Sequence, residues 1–221
     1  MLSLAFAALA QIFTAPFRHV LIKTLALTLL FLILIFVGAE TALGHFLVLP
    51  YHWLATSLIV LAAIALLIGF AFAITPVSFL VAGFFFDELA AIVEAEIDPA
   101  HRGKTPPLGA QIRIAAVFAA LALALNIIAL LLLLVPGVNA VIFLIVNAYL
   151  FGRGYFELAA LRYRGVEDVG RIRRAHEWQI FLAGLLIAAL AAVPVANLLT
   201  PLFGAALMVR VHNKIAAPAK A

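Results

Sequence analysis

Long uncharged stretches dominate the chain, and the few charged residues gather between them. The first stretch with the length of a membrane crossing covers residues 20–39. At 1.5 Å per residue, 20 residues span a hydrocarbon core of about 30 Å. A second stretch, residues 53–86, has no Asp, Glu, Lys or Arg and contains Pro76. We expect two long transmembrane helices, the second kinked near Pro76 because proline has no amide proton to donate.

Two further uncharged stretches each contain a turn signal near the middle. They lie between residues 113 and 153 and between residues 177 and 210. Both interruptions have the form Val-Pro-x-x-Asn, and proline with glycine or asparagine favours a turn. The pattern predicts two helical hairpins with uncharged tips. The candidate pore residues at these tips are Pro136, Asn139, Pro194 and Asn197.

The length of the hairpin arms decides how deeply each hairpin enters a bilayer. In the second hairpin, residues 178–192 and 198–209 give arms of about 18–22 Å. Such arms are too short to cross, which favours a hemi-penetrating hairpin over a spanning one. Irregular backbone inside a bilayer is tolerated where protein buries it or where it lines a watery cavity. The alternative is a kinked pair of spanning helices without a pore.

The composition agrees with this membrane interpretation. Hydrophobic residues make up 67% of the 221 residues and charged residues 11%, whereas a soluble domain has about 25% charged residues. We therefore expect an all-α integral membrane protein. The chain has no cysteine and no P-loop, Rossmann, HExxH or GxSxG motif, so we expect no enzymatic activity, no cofactor and no metal site.

The placement of the basic residues predicts the orientation. None of the 14 Lys and Arg residues lies between positions 24 and 101, and both predicted hairpins begin and end in basic segments. The positive-inside rule then puts every basic residue, and both termini, on the cytoplasmic side of a multi-pass protein. The net charge of +4 is thus a signal of topology, and we expect the lipid bilayer, not nucleic acid, as the partner.

Several charged segments have a simple interpretation. Arg153 and Glu157 are four residues apart and are expected to form an ion pair on one helix face at the membrane edge. The basic cluster of Arg171, Arg173 and Arg174 is expected to form an amphipathic helix on anionic lipid, and the alternative is a cytoplasmic funnel that collects anions. The acidic segment that includes Glu94 and Glu96 is interpreted as a mainly solvated face.

These elements predict a single membrane domain over residues 1–221. Its parts are an interfacial helix (1–19), a long helix pair (20–105), a first hairpin (106–165), a basic amphipathic segment (166–177) and a second hairpin (178–215).

Several short motifs, in this order and spacing, resemble those of one protein family. They are Ala15-Pro16-Phe17-Arg18-His19, Pro76 with Phe86-Asp87-Glu88-Leu89, Val135-Pro136-Gly137, Gly152-Arg153-Gly154-Tyr155-Phe156-Glu157 and Val193-Pro194-Val195-Ala196-Asn197. Over nearly its whole length the chain resembles the CysZ-like sulfate permeases and their relatives, the etoposide-induced membrane proteins. The resemblance implies two long transmembrane helices with two hemi-penetrating hairpins, homo-oligomeric assembly, and sulfate uptake across the bacterial inner membrane.

The resemblance also implies an anion-binding pair just before the first long helix, at Arg18 and His19. CysZ-like proteins have two arginines there, and the histidine departs from that pattern. Arginine binds oxyanions through two N–H groups, whereas histidine is mostly neutral at pH 7. Arg18 has an alternative role as an interfacial anchor that reaches lipid phosphate.

We therefore expect a permease or channel for sulfate or a related oxyanion. The alternative function is a non-transporting membrane scaffold of the same family. A polar cavity that reaches Asn139 and Asn197 would favour transport over the scaffold.

Overall fold

The computed structural model describes residues 1–46, 61, 84–132, 139–193 and 196–216. Within these ranges the chain consists of helices, turns and loops, without a strand, so the all-α prediction is confirmed for the described residues. The α-helices are α1 (Leu2–Ile12), α2 (Ala15–Phe46), α3 (Phe86–Ile97), α4 (Leu108–Leu132), α5 (Asn139–Leu161), α6 (Val166–Ala175), α7 (Glu177–Ala191) and α8 (Thr200–Ala216), and a 3-10 helix covers Ala196–Leu199.

A two-residue break separates α1 from α2. The hydroxyl of Thr14 donates a hydrogen bond to the carbonyl of Gln11 at 2.7 Å, and the amide of Thr14 donates to the same carbonyl at 3.0 Å. Pro16 then stands in the first turn of α2, where its missing N–H costs nothing because the first amides of a helix have no partner inside it. The predicted N-terminal helix is therefore present and ends before the long helix begins.

The segment Ala15–Gly38 of α2 is long and apolar enough to cross a membrane, and it is the one such helix among the described residues. The helix begins five residues before the predicted segment 20–39, because hydropathy marks the apolar part of a helix and not its end. The predicted second span, residues 53–86, lies outside the described residues except for Leu61 and its last three positions. Its predicted kink at Pro76 also lies outside them.

The two predicted hairpins differ in the length of their arms. Helices α4 and α5 have 25 and 23 residues, whereas α7 and α8 have 15 and 17. At 1.5 Å per residue, the first pair measures about 35–38 Å and the second pair about 22–26 Å. The repeated Val-Pro-x-x-Asn pattern therefore marks similar tips, whereas the helices that flank the two tips differ in length. Two of the predicted tip residues, Pro136 and Pro194, lie outside the described residues.

The chain divides into two compact units, residues 21–85 and residues 1–20 with 86–221. In the second of these units α8 is the central helix, because every residue from Thr200 to His212 is buried. Helices α1, α3, α5 and α7 pack around it. Of the smaller unit, the structure describes mainly the remainder of α2. Its leucines and phenylalanines between residues 29 and 37 are exposed, except for the buried Leu32.

Helices α5 and α7 cross at a pair of glycines. A Cβ atom at Gly184 would lie 2.0 Å from the carbonyl oxygen of Ala148, and one at Gly152 would lie 2.7 Å from that of Ile180. The two backbones are therefore in direct contact at this crossing. Only glycine permits this approach, because any side chain would push the helices apart.

Candidate functional site

Arg18 and His19 lie on the first turns of α2, and not before the helix as the resemblance implies. The amide of Arg18 already donates a hydrogen bond to the carbonyl of Thr14 at 3.0 Å. Its backbone is therefore committed to the helix, and the guanidinium is the group that this residue offers to an anion. The unpartnered amides at this end belong to the residues before Arg18, and Pro16 among them has none to donate.

The local sequence explains why both side chains point outward. Phe17 and Val20 are three residues apart on one helix face, and they are 0% and 1% exposed. They hold this turn against the core of the larger unit, while Arg18 and His19, between them in sequence, are exposed. Neither Arg18 nor His19 has a hydrogen bond or ion pair with another residue that the structure describes. No described carboxylate therefore compensates the positive charge of Arg18, which lies at the start of the candidate span.

A second charged group lies where α5 faces α6. The Nε atom of Arg153 donates to Glu157 Oε1 at 2.9 Å, as the four-residue spacing indicates. The structure adds Arg173 of α6, whose Nε atom lies 3.1 Å from the same carboxylate oxygen without the alignment of a hydrogen bond. Two arginines therefore share one nearly buried carboxylate. Nothing local in the sequence links Arg173 to Glu157.

The third group centres on Arg162 at the end of α5, and its contacts were not predicted from the sequence. Its Nε and Nη2 atoms donate to the two oxygens of Glu94 at 2.7 and 3.0 Å. Its Nη1 atom donates to Asp87. Burial lowers the pKa of the guanidinium, but Glu94 and Asp87 favour the charged form more strongly, so the pKa of Arg162 lies above its usual range. The interpretation of Glu94 as part of a solvated face is wrong, since its side chain is 1% exposed.

The fourth group connects the N-terminal helix to the core. The Nη1 atom of Arg210 donates to Gln11 Oε1 at 2.6 Å, and its Nη2 atom donates to Glu96 Oε1 at 3.0 Å. Gln11 in turn donates to Glu96 Oε2 at 2.5 Å. Three residues from α1, α3 and α8 therefore close a ring of hydrogen bonds. Arg210 and Arg162 are both basic residues whose charge a carboxylate already neutralises.

The asparagines predicted at the hairpin tips are only partly described. Asn139 is the first residue of α5, and its side chain lies outside the described part of the structure. Asn197 is half-buried and lies in the 3-10 helix between α7 and α8. Its backbone N–H donates a hydrogen bond to the carbonyl of Val193 at 2.8 Å. Among the described residues, no hydrogen bond or ion pair joins Arg18 or His19 to Asn197.

Two clefts lie near the junction of α6 and α7. One is a small cavity of about 10 Å³ between Arg153, Arg173 and Ile180. The other is an open cleft of about 510 Å³ that includes Arg174 and Trp178. Among the residues that the structure describes, no group of three or more His, Asp or Glu side chains is arranged to hold a metal ion.

Over the residues that the structure describes, the protein is helical, contains one candidate span, and carries at the start of that span an arginine without a described ion-pair partner. The sequence profile of the family described as "Sulfate transporter CysZ/Etoposide-induced protein 2.4" matches residues 4–201. The chain therefore belongs to this family, as its motifs indicated. A search of curated proteins gives no match. The family description names a transporter and not an enzyme.

Proposed function

We propose that the chain is an inner-membrane permease or channel for sulfate or a related oxyanion, and that Arg18 makes the first contact with the anion. The observation that carries this proposal is the exposed guanidinium of Arg18 on the first turn of α2, which has no ion pair or hydrogen bond with a residue that the structure describes. Arg153, Arg162, Arg173 and Arg210 are all engaged with carboxylates. Arg18 thus remains available to a ligand, and arginine suits a tetrahedral oxyanion because two N–H groups can donate to it together.

Membrane insertion is part of the same proposal. The apolar side chains of α2 suit a lipid environment, since Leu29, Leu34 and Val37 are 60%, 58% and 50% exposed. Such a long exposed apolar surface is unfavourable in water. The short arms of α7 and α8 favour a second hairpin that stops within the bilayer. The proposal also includes both termini on the cytoplasmic side and a second long span, which the charge and hydropathy pattern predicts, and homo-oligomeric assembly, which the family resemblance implies.

The decisive experiment measures the flux of labelled sulfate into liposomes that contain the purified protein. We expect flux above that of empty liposomes, and we expect Arg18→Gln to lower it about tenfold at low sulfate concentration, because a charge-assisted hydrogen bond is lost. Arg102→Gln is the matched control, since Arg102 is an exposed arginine in the loop between α3 and α4.

The results separate the alternatives. Absence of flux for sulfate, thiosulfate and molybdate with folded protein would contradict transport and favour the membrane scaffold. Flux that is equal in the Arg18→Gln and Arg102→Gln variants would remove Arg18 from the anion path and support its role as an interfacial anchor.

The orientation is testable because the natural chain has no cysteine to interfere with labelling. A single cysteine at Ser3 or at Lys214 is expected to react with a membrane-impermeant maleimide only from the cytoplasmic side. Reaction from the opposite side at either position would contradict the proposed topology.

A further inference from the structure

The open cleft beside the junction of α6 and α7 contains two opposite charges that do not pair with each other. Arg174 and Glu177 both line it, both are exposed, and no ion pair joins them within the described structure. They are three residues apart but belong to different helices, because the chain changes direction at His176. The remaining residues of the cleft are Tyr149, Ala175, Trp178 and Phe181.

The neighbouring arginines of α6 are already occupied. Arg171 forms an ion pair with Asp168 on its own helix, and Arg173 lies against Glu157 of α5. Arg174 has no carboxylate partner among the described residues. The basic segment therefore offers one available guanidinium, and it faces the cleft.

The carboxylate of Glu177 decides what kind of ligand fits. A ligand that carried only negative charge would be attracted by Arg174 and repelled by Glu177 in the same cleft. A ligand with a negative and a positive group separated by a short linker would satisfy both side chains. Glu177 also lines the small cavity beside Arg153 and Arg173, but no ion pair joins it to a residue that the structure describes.

The aromatic residues of the cleft suit the boundary between headgroups and acyl chains. Trp178 is 68% exposed and stacks on Phe181 with 5.6 Å between the ring centroids and 19° between their planes. Tryptophan is enriched at membrane interfaces, where its ring contacts both polar and apolar groups. Because Phe181 covers one face of the indole, the aromatic groups do not surround a cation as a cage would.

We propose that this cleft binds a phospholipid headgroup that carries both a phosphate and a primary ammonium, as in phosphatidylethanolamine. Arg174 donates hydrogen bonds to the phosphate, and the ammonium donates to the carboxylate of Glu177. Trp178 and Phe181 pack against the upper part of the acyl chains. The inference rests on the proposed membrane insertion and is independent of sulfate transport.

The fluorescence of Trp178 provides the test. The chain has two tryptophans, so Trp53→Phe leaves Trp178 as the only one. The protein is reconstituted in phosphatidylcholine vesicles with a small, constant fraction of one lipid brominated near the top of its acyl chains. We expect brominated phosphatidylethanolamine to quench Trp178 with an apparent affinity about twofold to fivefold above that of brominated phosphatidylcholine or phosphatidylglycerol, the range that an exposed ion pair supplies.

Charge variants separate the two contacts. In the Trp53→Phe background, Glu177→Gln should abolish the preference for phosphatidylethanolamine over phosphatidylglycerol. Arg174→Gln should weaken quenching by both phosphatidylethanolamine and phosphatidylglycerol. Glu167→Gln and Arg171→Gln are the matched controls, because both residues are exposed on α6 outside the cleft, and they should change nothing.

Each other outcome overturns a different statement. Equal quenching by all three lipids, or stronger quenching by phosphatidylglycerol or phosphatidylcholine, would contradict the headgroup assignment. Absence of quenching by every brominated lipid would contradict membrane insertion of this segment, whereas failure of sulfate flux would leave the lipid result unaffected.

Discussion

The carboxylate of Glu94 receives two hydrogen bonds from the guanidinium of Arg162, which is 68 residues further along the chain. The two side chains are 1% and 4% exposed. Glu94 also accepts a hydrogen bond from the amide of Gly103 at 3.1 Å, and the carbonyl of Arg162 accepts one from the amide of Lys104 at 2.8 Å. This pair therefore joins α3, the end of α5 and the loop before α4.

Removing one member of this pair should strongly destabilise the fold. Arg162→Met leaves the carboxylate of Glu94 buried without its guanidinium, and breaking a buried pair in this way costs about 3–5 kcal/mol. The measurement is the free energy of unfolding in detergent. Arg171→Met is the control, since the exposed pair of Arg171 with Asp168 should contribute less than about 1 kcal/mol.

Removing both members should restore much of this loss. In Arg162→Met/Glu94→Leu no isolated charge stays buried at the pair, so the double variant should be more stable than Arg162→Met alone. A double variant as unstable as the sum of the two single variants would show that Arg162 acts mainly through Asp87 and the backbone of Gly103, which it also contacts.

The close crossing of α5 and α7 gives a second prediction. Gly184→Ala would place a methyl group 2.0 Å from the carbonyl oxygen of Ala148, which the two backbones cannot accommodate without moving apart. Overpacking of this kind costs about 1–3 kcal/mol, and we expect a lower melting temperature in detergent.

Gly170→Ala is the matched control for that substitution. Gly170 lies within α6, and the nearest atom to a Cβ there is the end of the Arg174 side chain at 3.9 Å. Alanine is the better helix former by about 1 kcal/mol, so this variant should be slightly more stable than the natural protein. If Gly184→Ala did not lower the melting temperature either, the direct contact between the backbones of α5 and α7 would be contradicted.

His212 should make the stability depend on pH. Its ring lies near the Lys214 end of α8, outside the candidate span, stacked on Tyr163 at 4.9 Å between centroids, and it is 2% exposed. Burial, together with the positive charge of Arg164, lowers the pKa of His212 to about 4 although Glu94 acts in the opposite direction. The folded state therefore resists a proton that the unfolded chain accepts below about pH 6.5.

The sign of the effect follows from this difference. Above about pH 6.5 the ring of His212 is neutral in both the folded and the unfolded state. Between about pH 6.5 and 4 the free energy of unfolding falls as the pH falls. Below about pH 4 the loss of unfolding free energy is complete, at about 3 kcal/mol. The check compares the natural protein with His212→Leu at several pH values. The difference in unfolding free energy between the two should change by about this amount across the window, and a constant difference would show that His212 does not titrate in this way.

The sequence was sufficient for interactions that are local in the chain. Hydropathy and turn signals predicted the N-terminal helix and the two arms of each hairpin, because helix formation depends on neighbouring residues. The pairing of Arg153 with Glu157 follows from four-residue spacing on a helix, and the structure shows that contact. The depth of insertion does not follow so directly, because similar tips end arms of unequal length.

The pairs that organise the core could not be predicted in this way. Glu94 looks like part of an amphipathic acidic face, and its partner Arg162 looks like an ordinary basic residue at a hairpin base. One signal was present in the sequence. Arg210 follows directly after a long uncharged stretch, so its side chain is a candidate for burial, and a buried charge needs a partner of opposite charge. This argument predicts that a carboxylate lies nearby, but it cannot select Glu96 from the ten acidic residues of the chain.

His19 provides the sharpest test of the proposed anion site, because the family resemblance implies a second arginine at its position. The side chain is exposed on the same turn as Arg18 and has no described partner, so His19→Arg adds a second guanidinium without breaking a contact. If an oxyanion binds at this turn, the variant should increase the apparent affinity for sulfate about twofold to fivefold at neutral pH, the range of an exposed ion pair.

The measurement is the concentration dependence of labelled sulfate flux in proteoliposomes, with Lys214→Arg as a control for a basic substitution elsewhere. A gain that appears in His19→Arg and disappears in Arg18→Gln/His19→Arg would show that the two positions act on the same ion. An unchanged affinity in His19→Arg would instead mean that the anion does not contact this turn of α2.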